Sequence, residues 1–119
     1  MALDLNAASH TFLRGISDAV ANTAKKELAT IKGFSESQLN SLAQQSALVA
    51  GMIEANMFTD AERDFYLGGL QAMAKGFVNT MAQLLDILIE ELWNAVVGVI
   101  WKTINQLARV ALNVPVLAA

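Results

Sequence analysis

An all-α fold is predicted by three features of this 119-residue sequence. Its apolar residues recur at helical spacing, it carries strong helix-start signals, and its single proline, Pro115, falls after the last periodic segment. The expected layout is a helical hairpin followed by one long, kinked, amphipathic C-terminal helix, set in a multi-chain helical assembly.

The first helix is expected over about residues 5–32, with Asp4 or Asn6 accepting from its free N–H groups. Lys25, Lys26 and Lys32 then lie near its negative end, and Gly33 offers the left-handed stop. Phe12, Ile16, Val20, Ala24, Leu28 and Ile31 run along one side. A capping box follows at Ser35 and Gln38, where Phe34 can staple to Leu39, and opens a second helix over about residues 36–57. Leu39, Leu42, Val49, Ile53 and Met57 form its apolar face.

A second capping box, Thr59 to Glu62, puts acids in the first turn of a third helix, where the helix dipole favours them. That helix is expected over about residues 60–112, ending where Asn113, Val114 and Pro115 disfavour continuation. Gly68-Gly69 is the expected break, because two glycines cost about 2 kcal/mol of helix propensity relative to alanine. The remaining segment would be about 65 Å long at about 1.5 Å per residue. A globule of this size has a radius of gyration near about 13–14 Å, so such a helix must project and be covered by other chains. A second break, at Gly98 for instance, would instead give an ordinary helical monomer.

Asn79, Gln83, Asp86, Glu90 and Asn94 share a narrow arc of this long helix and are expected to face a lumen or a subunit interface. Gly98, Lys102, Asn105 and Arg109 continue the line with a slow drift. Around it lies a wide apolar arc in which Trp93, Ile100 and Trp101 are the expected association anchors, since large side chains bury the most area. Gly68, Ala72 and Gly76 form a small-residue ridge suited to close helix packing. The segment after the last helix, from Val114 onward, is apolar and uncharged, so it is expected to dock against a neighbour or fray.

Composition limits the function. Apolar residues reach 55% and charged residues only 16%, an excess that calls for burial. The net charge of -3 argues against a nucleic-acid partner, whose phosphates demand clustered Lys and Arg. No cysteine is present, which removes disulfides, thiolate ligands and a cysteine nucleophile. His10 is the only histidine, so zinc and di-iron motifs that need two are excluded. No nucleophile elbow or phosphate loop occurs, and no catalytic residue, metal or cofactor is expected. The first residues lack both the cations and the apolar run of a secretory signal, so the chain is expected in the cytoplasm as made.

Three classes of function fit these features. The first is a non-enzymatic, self-associating building block of a ring, tube or bundle, in character like small virion-internal or ejected proteins. The second is a bilayer-inserting form of the same assembly, its polar stripe lining a lumen. Asp86, Glu90 and Glu91 would each cost about 2.5–3.5 kcal/mol at the centre of a lone spanning helix, so this form requires several copies. The third is a small cytoplasmic adaptor or inhibitor that binds another helical protein through its apolar C-terminal helix.

Overall fold

The computed structural model describes residues 3–26, 28–31 and 36–117. It is all-helical: α1 (Leu5–Ala24), a 3-10 turn (Leu28–Thr30), α2 (Glu36–Glu54), α3 (Asp60–Leu85) and α4 (Ile89–Ala108). α2 and α4 each pack against the other three α-helices, which leaves α1 and α3 as the flanks. The radius of gyration is 13.9 Å and the extents are 40 × 32 × 19 Å, so the molecule is about two helices thick.

The helix starts follow local chemistry. Asp4 Oδ1 accepts from the backbone N–H groups of Asn6 at 3.0 Å and Ala7 at 3.3 Å, opening α1. The box at the head of α3 is complete: the Glu62 N–H donates to Thr59 Oγ1 at 3.2 Å, and the Thr59 N–H donates to Glu62 Oε1 at 3.0 Å. The Ser35 box, the Phe34 staple, and the roles expected of Lys32 and Gly33 lie outside the described residues.

Helix ends differ from expectation. α1 stops at Ala24 rather than near Lys32, because Lys25 turns left-handed and donates its N–H to the Ala21 carbonyl. The break expected at Gly68-Gly69 does not occur; α3 runs through both glycines and ends at Leu85, with Asp86 as its cap. Asp86 adopts φ 54° and, with Ile87, donates to the Ala82 carbonyl. Leu88 then starts α4 without a side-chain cap, while Glu90 and Glu91 occupy the first turn. Among the described residues, all the left-handed non-glycine positions, Lys25, Asn56, Asp86 and Arg109, follow helix ends.

Magnitudes explain the break. A left-handed non-glycine residue costs about 1–2 kcal/mol. Breaking at Asp86 lets α4 bury Leu92, Trp93, Val96, Val97, Ile100, Trp101 and Ile104, and each fully buried large apolar side chain contributes about 1.5–3 kcal/mol. Burial therefore outweighs the turn several-fold. The side chains of α4 meet Phe12, Ile16 and Val20 of α1, Leu42 and Val49 of α2, and Leu70, Phe77 and Met81 of α3 in one core.

The close approach of α1 to α4 depends on Gly15: a Cβ there would stand 2.8 Å from Val99 Cγ1, whereas at Gly69 it would meet nothing within 4 Å. Replacing Gly15 by Ala forces the Val99 side chain or the two helices to move apart, at about 1–3 kcal/mol, more than the helix propensity gained. Gly69→Ala adds propensity without steric cost and should stabilise by up to about 1 kcal/mol. Urea unfolding of the two variants is expected to move in opposite directions.

Glu62 is held below its ordinary carboxylate value of 4.5, first by the backbone N–H of Thr59 and then by its hydroxyl. With the folded value depressed, its contribution is present above the unfolded value and is lost as pH falls through the folded one. Glu62→Gln should flatten the stability-versus-pH curve below about pH 5 and leave it unchanged in shape above, as read by denaturant melts across pH.

Candidate functional site

The residues expected to form a polar stripe do not share a helix. Asn79 and Gln83 lie on α3, Asp86 is the turn residue, and Glu90 and Asn94 lie on α4. Within this chain Gln83, Asp86, Glu90 and Asn94 are exposed and Asn79 is half-buried, so no continuous line forms. The expected association anchors are corrected more sharply: Trp93, Ile100 and Trp101 are buried in the chain's own core. The reason is the Asp86 break, which folds α4 inward and uses its wide apolar arc inside one molecule. No helix among the described residues is long and apolar enough to cross a membrane. Among the described residues no group of three or more His, Asp or Glu could hold a metal ion. His10 is exposed beside a polar groove with Asn6, Ser9, Asn40 and Gln44.

Gly68, Ala72 and Gly76 do not serve close packing within the chain. All three are exposed, and an added Cβ at Gly68 or Gly76 would meet nothing within 4 Å. The close approach falls instead at Gly15. On the outer face of α3 these small residues align with Ala61 and Phe65, which precede them at helical spacing. Phe65 is 76% exposed, and Met73 and Leu84 stand exposed on the adjoining row. Tyr66 braces this end of the face, stacking on Phe58 with centroids 4.7 Å apart and meeting Phe65 edge-on at 5.6 Å. Arg63 lies 3.7 Å from Asp64 and 4.0 Å from Asp60, solvated pairs that contribute little.

A second feature was only half legible. Arg109 takes a left-handed φ of 58°, and its N–H and that of Val110 both donate to the Asn105 carbonyl, which closes α4. The chain then doubles back along α4 as a strap. The Asn105 side chain clamps Leu112 at both main-chain groups: Nδ2 donates to the Leu112 oxygen at 3.0 Å, and the Leu112 N–H donates to Oδ1 at 2.9 Å. One amide orientation alone makes both bonds. Farther along, Trp93 Nε1 donates to the Pro115 carbonyl at 3.1 Å. Val116 and Leu117 border a small groove with Glu90 and Asn94. Part of the expected polar stripe thus flanks the strap. Sequence offered the apolar, uncharged character of this segment, but its partner is its own α4 rather than a neighbouring chain.

No protein-family model, no curated protein and no solved structure matches this chain.

Each neutral hydrogen bond contributes about 0.5–1.5 kcal/mol net, so Asn105→Ala, which removes both clamp bonds, is expected to cost about 1–3 kcal/mol in urea unfolding. It should also raise iodide quenching of tryptophan fluorescence, because the strap covers the Trp93 indole N–H.

Proposed function

We propose that this chain is a non-enzymatic helical protein that acts by self-association through the outer face of α3. The observation that carries this reading is Phe65, 76% exposed at one end of a line whose other members are Gly68, Ala72 and Gly76. Exposed phenylalanine has apolar area to remove from water, and a glycine-alanine ridge lets another helix come close enough to cover it.

The face is self-complementary. In an antiparallel pair whose two-fold axis passes opposite Ala72, Phe65 falls against Asn79 of the partner subunit, beside the hollow left by Gly76 of the partner subunit. The same operation puts Lys75 on the same side of the pair as Asp64 of the partner subunit, opposite in charge. A two-fold contact of this kind closes on itself. The ring and tube expected from an overlong helix lose their motive, since α3 ends at Leu85. Binding to another protein through the C-terminal helix loses its motive as well, since α4 is the buried helix of the core.

Sedimentation equilibrium over a micromolar to millimolar range tests the proposal. A concentration-dependent dimer is expected, with Phe65→Ser weakening it by at least tenfold, equivalent to about 1.4 kcal/mol. Particles that stay monomeric throughout, or a dimer indifferent to Phe65→Ser, would refute pairing through this face.

A further inference from the structure

We propose that the surface of α4 beneath the strap is a recognition site for an extended chain segment, and that the corresponding segment of a second copy can occupy it. This stands apart from α3 pairing.

The contacts themselves define what the site reads. Both polar anchors are made to main-chain groups, the N–H and carbonyl of Leu112 and the carbonyl of Pro115. Burial alternates with them: Leu112, Pro115 and Leu117 are half-buried, whereas Asn113, Val114 and Val116 are exposed, Val116 by 82%. Leu112 and Leu117 pack against the core. The site therefore selects Leu-x-x-Pro-x-Leu in an extended conformation. Proline suits the middle anchor for two reasons: it has no N–H to leave unpaired, and its fixed φ pre-orders the segment and lowers the entropy lost on docking. Glu90 beside Val116 and Leu117 would repel an acidic occupant, and residues 110–117 carry no charged side chain.

Three observations favour exchange with a second copy. α4 is closed by the N–H groups of Arg109 and Val110 on the Asn105 carbonyl, so releasing the strap beyond Val110 leaves that closure in place. The strap is held from one side by two side chains and a few half-buried contacts, not threaded through the core. Another copy's segment would make the same set of contacts, so exchanged chains lose none of the docked interactions, the usual basis of swapped dimers.

The absence of cysteine gives a clean test on the full chain. Asn94→Cys and Val116→Cys mark the two sides of the groove. The double variant, dilute and mildly oxidised, is expected to close an internal disulfide; failure to do so would overturn the docked site. The two single variants, mixed at high concentration, are expected to yield a disulfide-linked heterodimer severalfold above either homodimer. Asn105→Leu in both chains should lower that yield at least fivefold, and an excess of a synthetic peptide of residues 110–117 should do the same. Should Asn105→Leu lose its helical circular dichroism, the peptide competition decides. Heterodimer at no more than the homodimer level, or a yield unmoved by the peptide, overturns exchange. Phe65→Ser added to both chains separates the two contacts: an unchanged yield is expected, and its collapse would assign the cross-link to α3 pairing instead.

Discussion

The structure depends on burying α4. Its apolar residues cover so much of its circumference that a single flanking helix cannot shield them, and the chain supplies neighbours from α1, α2 and α3 together. That requirement sets the fold: α4 takes the middle beside α2, with the remaining two helices on the flanks. The turn at Asp86 is the local cost, about 1–2 kcal/mol for a left-handed aspartate against many times that in burial. Gly15 is the matching concession on α1, a missing side chain that admits Val99.

Once α4 is central, the placement of the other features follows. α3 lies on a flank, so its inner row of Leu70, Ala74, Phe77, Val78 and Met81 enters the core while its outer row has no neighbour. The glycines of that outer row neither break the helix nor pack; a helix fixed by burial on one side tolerates weak propensity on the other. One strip of α4 is left to the strap. Trp93 illustrates how tightly these roles combine, since its ring lies in the core while its indole N–H holds the Pro115 carbonyl.

The two surfaces we connect with function differ in physical kind. The outer face of α3 presents side-chain area and shape, an aromatic knob beside a glycine hollow, and suits a helix. The strap site presents fixed hydrogen-bonding groups, the Asn105 amide and the Trp93 indole, and suits an extended main chain. One could pair folded molecules without altering either; the other exchanges a piece of chain between them. Both are compatible with a chain whose described residues hold no metal-binding cluster.

Sequence alone determined the helical class, the start of α1 at Asp4 or Asn6, the Thr59–Glu62 box and the inward side of α1, because each depends on residues within one or two turns of one another. It also marked Phe12, Ile16 and Val20 as a buried line, which they are. Tertiary structure decided where helices end. Glycine propensity pointed to Gly33 and Gly68-Gly69, yet Lys25, Asn56, Asp86 and Arg109 turn the chain among the described residues, since the energy that selects a turn comes from what the next segment buries. For the same reason the polar residues from Asn79 to Asn94, collinear on an imagined single helix, separate onto two, and Trp93, Ile100 and Trp101 become core rather than surface. The Asn105 clamp on Leu112 and the Trp93 bond to Pro115 join residues whose proximity exists only after the chain reverses at Arg109, and no local pattern encodes that reversal.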